Sequence, residues 1–238
     1  MRKELRQIPF LMSCVLLVSI TLPGLLTAQS QEMRERVAEV KEAVARNKQA
    51  LAQYTWVEQV TISLKGEQKK QEHFQVRIGP DGTQQKQSLD PPPEAPEHEG
   101  RLKRHIVEKK KEEYKEYADQ IKELIHQYVP PERDMLEQAY QKGNIMVGPQ
   151  PGGSGQYRLV ISNYIKQGDS MTLIMDKTAK ELSSLSIATY LNDPKDAVNV
   201  TVAFARIPGG PNHVSGETIN GVSKQLTVAI QNSNYQHL

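Results

Sequence analysis

The chain has six histidines and one cysteine, the side chains most often found at catalytic and metal centres. None of the histidines forms a His-Glu-x-x-His motif, and no acidic cluster has the spacing of a metal-binding loop. His98 and His105, beside Glu97 and Glu99, come nearest to a zinc site. Their separation crosses a predicted helix start, and solvated surface histidines explain them adequately. The sequence therefore predicts no metal and no cofactor.

Two short runs resemble hydrolase motifs without completing one. Residues 152–156 lack the last glycine of a nucleophile elbow, and they precede a strand, whereas an elbow opens a helix. The run also has no Gly-Lys-Ser/Thr ending, so it is not a phosphate-binding P-loop. Asp193 and Asp196 are paired carboxylates, but a predicted turn holds them, where aspartate is favoured by local backbone hydrogen bonds. We expect no enzymatic activity.

The first residues have the layout of a secretory signal peptide. Three basic residues open the chain, an apolar segment follows at 8–26, and Ala28 ends a small-residue cleavage site. An uncleaved anchor is the alternative, since the apolar segment approaches the length of a spanning helix. The helix-breaking Pro-Gly pair near its end favours cleavage. We expect a signal peptide at 1–28, cleaved after Ala28, and a periplasmic or secreted protein.

Removal of this leader would change both the cysteine count and the charge. The single cysteine, Cys14, lies inside it, so the mature chain would have neither a disulfide nor a thiol. The whole chain has 30 basic and 28 acidic residues, and the leader holds three of the former and one of the latter. The mature chain is therefore neutral, which argues against a nucleic-acid partner. We expect one domain, residues 29–238, and a monomer.

Alternating apolar and polar residues predict two blocks of strands. The first holds a hairpin, 54–64 with 74–78, and a short strand at 84–89. The second runs from Tyr157 to Tyr235 with turns such as Asn220-Gly221, after a loop at 149–155. Short connections join antiparallel neighbours, because a parallel crossover needs a dozen or more residues. The two blocks therefore predict one large antiparallel sheet.

Apolar residues at helical spacing predict three helices. The first runs from Glu32 to about Tyr54, the second over 101–128, and the third from Pro131 to just before Gly143. Helices inserted between strand blocks must cover a face of the sheet, because their apolar stripes cannot remain in water. The predicted fold class is α+β: a large curved antiparallel sheet, an incomplete β-barrel, with an N-terminal helix and a helical insertion (101–143) over the concave face.

One face of this sheet collects apolar side chains that are candidates for a ligand groove. They are Trp56, Val60, Ile62, Phe74, Val76, Val200, Val202 and Phe204. A strongly twisted sheet curls, and a helix laid across the hollow side often leaves space. The alternative is that these side chains simply fill a core. Glu58 and Gln59 interrupt the apolar pattern of the first strand, so we expect one end of the buried face to be wet.

The order of these elements resembles the lipoprotein-carrier superfamily, which includes periplasmic carriers that sort outer-membrane lipoproteins and lipid-sensing regulators of envelope stress. The resemblance lies in the leader, a first helix running into a Tyr/Trp strand, the hairpin, the inserted helices and the closing meander. Thr189-Tyr190, 200–209 and 226–235 also resemble secreted bacterial proteins that share this architecture. The resemblance implies a helical lid over an apolar groove for acyl chains, and it makes Arg77, in Val-Arg-Ile-Gly-Pro, a candidate latch for that lid.

The sequence thus favours an exported, non-enzymatic protein that holds a lipid, an acylated molecule such as a lipoprotein, or another apolar ligand. The alternative is an envelope structural, interaction or sensor module, which would bind a protein partner through the sheet edge or the charged helix at 101–128. A hydrolase whose site is assembled from scattered Ser, His and Asp residues is a third hypothesis.

Overall fold

Strands make up nearly half of the chain that the computed structural model describes, which is residues 42, 46–91, 101–153 and 155–238, without the side chains of 101–107 and 133. These residues belong to one compact unit, Glu39–Leu238. The predicted signal peptide, the beginning of the N-terminal helix and most of the proline-rich connection at 90–100 lie outside the described residues.

Within the described residues, ten strands and two inserted helices follow one another. The strands are β1 (Tyr54–Leu64), β2 (Glu67–Ile78), β3 (Gln84–Ser88), β4 (Ile145–Pro149), β5 (Gln156–Ser162), β6 (Ser170–Asp176), β7 (Leu182–Tyr190), β8 (Ala197–Arg206), β9 (Asn212–Gly221) and β10 (Leu226–His237). The inserted helices are α1 (Arg101–His126) and α2 (Arg133–Gln141). Residues 46–51, the end of the predicted N-terminal helix, are also helical and are called the 46–51 segment below.

All ten strands form one antiparallel sheet, in the order β3-β2-β1-β10-β9-β8-β7-β6-β5-β4. Every neighbouring pair is also consecutive in sequence except β1 and β10, the first and last strands, which pair through contacts such as Val60 with Ile230. β3 and β4 each have one unpaired edge, so the sheet does not close into a barrel. The predicted α+β class with a large open antiparallel sheet is confirmed.

The inserted helices bury their apolar stripe on the sheet, as predicted. Tyr117, Ile121 and Leu124 are spaced by four and three along α1, which places them on one side of the helix. Together with Ala139 of α2 they form the main core with strand residues Ile161, Met171, Leu173, Leu185, Ile187, Val198, Val200 and Val202. The mixed-charge run at 108–113 is exposed on the other side of α1.

Gly221 allows α1 to approach the sheet closely. A Cβ at this position would lie 2.6 Å from Cε1 of Tyr117 and 2.8 Å from Cδ1 of Ile121. Both side chains are buried, and the Tyr117 hydroxyl is held by a hydrogen bond to Asp196 (2.7 Å). Neither side chain can therefore move aside without a loss of packing. The position requires a residue without a Cβ.

The predicted Asn220-Gly221 turn is wrong. Both residues end β9, and Gly221 pairs with Leu226 of β10 across a loop of residues 222–225. Gln225 closes this loop with a left-handed φ of 50°. A turn at these residues would start the last strand at Val222, but β10 begins four residues later, at Leu226. The glycine is needed for close packing under α1 rather than for the turn.

Sequence reasoning also missed β4. Its five residues follow α2 directly and pair with β5, for example Val147 with Leu159. The run is short and ends in Gly148 and Pro149, which read as the start of a loop. Pro149 has no N–H to donate, and an edge strand tolerates this because one of its sides needs no hydrogen-bond donor. The predicted loop thus begins after Pro149.

A buried carboxylate ties the end of α1 to the sheet. Asp169 is 2% exposed, and its oxygens accept backbone N–H groups from Tyr164 (2.6 Å), Ile165 (2.9 Å) and Lys166 (2.7 Å). The Tyr128 hydroxyl donates a fourth hydrogen bond (2.5 Å). Burial, together with this hydrogen bond, raises the pKa of Tyr128 well above its usual range. Four donors compensate the buried charge, so this network has a structural role.

Candidate functional site

The strand pairings place the eight groove candidates on one face of the sheet, called the inner face below. Residues directly opposite each other in an antiparallel pair share a face. Val200, Ile219, Val228 and Ile62 form one such row across β8, β9, β10 and β1. Side chains alternate between faces along each strand, so Trp56, Val60, Phe74, Val76, Val202 and Phe204 fall on the same side.

α1 and α2 cover only part of the inner face. Val200 and Val202 lie in the main core with side chains of both helices, and Ile62 and Phe204 pack against that core. At Val200, which is 1% exposed, protein side chains already fill the space that the predicted groove would need. A ligand site under the inserted helices is therefore not visible at these residues.

The other four candidates lie toward the opposite end of the inner face. Trp56 and Val76 pair with each other across β1 and β2, and they are 2% and 0% exposed. Val60 and Phe74 are half-buried. These four residues therefore lie outside the main core that α1 and α2 bury.

Charged groups interrupt this end of the inner face, as Glu58 indicated. Glu58 is 4% exposed and forms an ion pair with Lys86 of β3. Glu217 lies on the same face of β9, between Val202 and Ile230. Burial raises the pKa of Glu217, the charge of Glu58 raises it further, and Lys86 opposes the effect. The apolar surface thus carries two carboxylates and one ammonium group.

Replacing Glu217 by glutamine should raise the free energy of unfolding at pH 7. The pKa of Glu217 is raised in the folded chain, so as the pH rises this carboxyl ionises in the unfolded chain before it does in the folded one. Ionisation therefore favours the unfolded chain at pH values above about 4.5, the ordinary pKa. The increase in the free energy of unfolding of the variant should be complete at pH values above the raised pKa and should vanish below about pH 4.5. Urea unfolding of wild type and Glu217→Gln at pH 7 and pH 4 measures it. Glu72→Gln, which removes a partly exposed ion pair with Lys70, should give no comparable gain.

An aromatic cluster adjoins these charges. The Trp56 ring stacks on the Tyr235 ring, with their centroids 5.6 Å apart. The His213 ring also contacts Tyr235, with a centroid distance of 4.1 Å. Within the described residues, Trp56 Nε1, His213 Nδ1 and Asn232 Oδ1 are buried without a hydrogen-bond partner. Buried polar atoms normally have hydrogen-bond partners, so three unpartnered atoms in and beside one cluster are unusual.

Sequence reasoning missed Tyr235 because of a local irregularity. Counting by twos from Leu226 along β10 places Tyr235 on the outer face. The pairing with β1 shifts near Asn234, which has a left-handed φ of 54°. An extra residue of this kind reverses the alternation and brings Tyr235 onto Trp56. An asparagine near a strand end is the one signal that the sequence offers.

A small apolar pocket lies between the 46–51 segment and the sheet. Its volume is about 140 Å³. Its apolar lining comes from Leu51, Met175, Leu182, Phe204 and Val214, and its polar lining from Asn47, Lys48, Lys180, Glu181, Asn212 and His213. Phe204 is thus a groove candidate that lines this pocket.

Asn212 fixes the walls of this pocket. Its backbone N–H donates to Asn47 Oδ1 in the 46–51 segment (3.3 Å), and its side-chain Nδ2 donates to the Leu182 carbonyl (2.8 Å). Phe204 and Val214 face each other across β8 and β9. The helical segment, β7 and the start of β9 are therefore held together around the pocket.

Arg77, the candidate latch, lies on the outer face of β2. Its Nε donates to Gln85 Oε1 in β3 (3.0 Å). It also lines a broad depression of about 900 Å³ together with Lys48, Gly79 and Leu238. Its neighbours are thus β3 and the 46–51 segment, not α1 or α2.

A metal centre and a membrane-spanning helix are both absent from the described residues. No group of three or more His, Cys, Asp or Glu residues there is placed to hold a metal ion. The predicted weak metal candidate His98 lies outside the described residues, and the His105 side chain is not described. Among the described helices, none combines the length and the apolar character needed to cross a bilayer. No protein-family model, curated protein or solved structure matches this chain.

Proposed function

We propose that this chain is an exported, non-enzymatic protein that binds a lipid or another apolar ligand at the inner face of its sheet. The ligand would sit beside the 46–51 segment rather than under α1 and α2. The observation that carries the proposal is the apolar pocket bounded by Leu51, Phe204 and Val214. The lining is apolar and open to a ligand, so burying apolar surface of a ligand against it would stabilise a complex.

The pocket volume limits what can enter. About 140 Å³ is close to the roughly 150 Å³ of an engineered apolar cavity that binds benzene. The pocket therefore accommodates one ring or the end of one acyl chain. The rings of His213, Tyr235 and Trp56 pack in series behind the pocket wall, which makes that wall rigid and apolar. Export is supported by the signal-peptide layout of the first 28 residues.

Filling the pocket should abolish this binding. Val214→Phe adds a ring where the ligand would sit, and we expect affinity for a fluorescent fatty acid to fall more than tenfold, because several buried methylene contacts are lost. Fluorescence titration measures the change, and native mass spectrometry of gently purified wild type should show bound acyl species. Val222→Phe, the same change at a 49% exposed position, is the matched control. A wild type that never carries acyl species, or equal affinity for the fatty acid in both variants, would overturn the proposal.

One observation favours the second candidate function, an interaction module that uses the sheet edge. The unpaired edge strand β4 has no charged side chain, and Met146 and Val147 are 59% and 42% exposed. An edge of this kind can pair with another strand. The opposite edge, β3, is entirely polar. If β4 mediates assembly, sedimentation velocity should show a complex that Val147→Lys disrupts and Val222→Lys, at an exposed loop, preserves.

A further inference from the structure

The hydrogen bonds at the two ends of β4 determine which of its backbone groups face the open edge of the sheet. The Ser162 N–H donates to the Asn144 carbonyl just before β4 (2.9 Å), and the Gln150 N–H just after β4 donates to the Gln156 carbonyl (3.2 Å). Along an antiparallel strand, residues that bond to a given neighbour alternate with residues that do not. The even-numbered residues of β4 therefore bond to β5, and the odd-numbered residues direct their backbone groups away from it.

The open edge of β4 presents more acceptors than donors. Ile145 and Val147 each direct an N–H and a carbonyl outward, whereas Pro149 directs only a carbonyl outward because it has no N–H. Within the described part of the chain, these outward groups have no hydrogen-bond partner. No charged side chain guards the strand, and Met146 and Val147 are exposed. An edge of this kind pairs with a strand that supplies matching groups.

A second copy of β4 supplies these groups. If two copies lie antiparallel and centred on Val147, each Val147 N–H donates to the Val147 carbonyl of the other copy. Each Ile145 N–H then donates to the Pro149 carbonyl of the other copy. Every outward N–H is satisfied in this register, and the proline, which has no N–H, is used only as an acceptor. The backbone pattern of β4 is thus complementary to itself.

The side chains of β4 also suit this register. Met146 lies opposite Gly148 of the second copy, on the face that alternates with the core-facing Ile145. A Cβ at Gly148 would meet nothing within 4 Å, so the partner's Met146 side chain has open space there. The other register that satisfies every outward N–H pairs Ile145 with Val147. It places the two Met146 side chains against each other and leaves Pro149 unused, so we favour the register centred on Val147.

We propose that this chain forms a symmetric dimer in which two β4 strands pair antiparallel about Val147 and join two sheets into one. The inference rests on the second candidate function, because it specifies the partner of the sheet edge, and it does not depend on the pocket. β4 has no charge that would select an oppositely charged partner. Pairing of β4 with the other edge, β3, would leave a free edge on every added copy, whereas pairing of β4 with itself closes at two copies.

Val147→Pro tests this pairing because it removes the outward N–H and leaves the bonds to β5 in place; edge strands tolerate proline. The interface is short, so we expect a wild-type dissociation constant of about 0.1 mM by sedimentation velocity. Two hydrogen bonds are lost per dimer in the variant, which should raise this constant at least tenfold. Val147→Thr keeps the N–H and the β-branched shape, and it should stay within about threefold of wild type. A monomeric wild type, or equal constants for the two variants, contradicts the dimer.

Hydrogen exchange of the wild type decides the question if Val147→Pro does not fold. The amides of Met146 and Gly148 bond to β5 in each copy, so they should be protected at every protein concentration. The amides of Ile145 and Val147 gain acceptors only in the dimer. They should exchange about fourfold more slowly at about 1 mM than at about 10 µM, as the expected dissociation constant implies.

The outcomes separate the dimer from the function on which it rests. Equal exchange of Ile145 and Val147 at both concentrations rules out the second copy as the occupant of the edge. If these amides slow down only when another protein is added, the sheet-edge function stands and the dimer fails. Binding of a fluorescent fatty acid is measured independently, so loss of the dimer leaves the pocket proposal untouched.

Discussion

Replacing Asp169 by alanine should lower the free energy of unfolding by about 4 kcal/mol. The change removes the acceptor for three backbone N–H groups and for the Tyr128 hydroxyl, all at hydrogen-bond distances of 2.5–2.9 Å. With the site 2% exposed, water cannot replace the lost carboxylate without opening the structure. Urea unfolding followed by circular dichroism measures the effect at pH 7, where the carboxylate of an unfolded chain is ionised.

Asp193→Ala is the matched control for this prediction. Asp193 accepts one backbone N–H, from Lys195 (2.8 Å), and lies exposed in a turn. Loss of such a local turn contact should cost about 1 kcal/mol or less. Equal losses for the two variants would show that Asp169 contributes no more than an ordinary turn residue. The network at the end of α1 would then lose the structural role assigned to it.

Replacing Gly221 by alanine should lower the free energy of unfolding by about 2 kcal/mol, because the new Cβ overlaps the buried ring of Tyr117 and the tip of Ile121. Relief of that overlap requires α1 to move away from β9. Hydrogen exchange should therefore speed up along α1 more than in β1 and β2, which lie on the other side of β10.

Gly216→Ala tests the same substitution in the same strand without the overlap. Its Cβ would meet only the Ile230 carbonyl oxygen, at an ordinary contact distance of 3.5 Å. We expect the free energy of unfolding to change by no more than about 0.5 kcal/mol, because the new Cβ has no close contact and alanine also reduces the freedom of the unfolded chain. If both glycines tolerate alanine equally, α1 does not depend on close approach to β9.

The local parts of this fold follow from the sequence. Alternation identified every strand of the closing meander, and the apolar stripe of residues 117, 121 and 124 identified the face that α1 buries. The pairing of β1 with β10 did not follow, because it joins strands more than 160 residues apart, as between Val60 and Ile230. Short connections indicate which strands pair within a hairpin, but no local signal indicates which strand of the first block pairs with which strand of the second.

The site was predictable only in part, for a related reason. Alternation correctly grouped Trp56, Val76, Val200 and Phe204 on one face. It does not indicate how far a helix extends over that face, which decides whether Val200 is core and Phe204 lines a pocket. The lipid-binding role and the family resemblance stay predictions. His213 gave no sequence signal, since its place in the aromatic cluster depends on the register shift that brings Tyr235 onto the inner face.

The position of β10 has a consequence for biosynthesis. Of the ten strands it is the last to leave the ribosome, yet it lies between β1 and β9 in the interior of the sheet. A nascent chain can form its early hairpin and its later meander separately, but nothing joins them until β10 has been synthesised. Folding of the complete sheet is thus delayed until that point, and β1 and β9 each keep an unpaired edge before it.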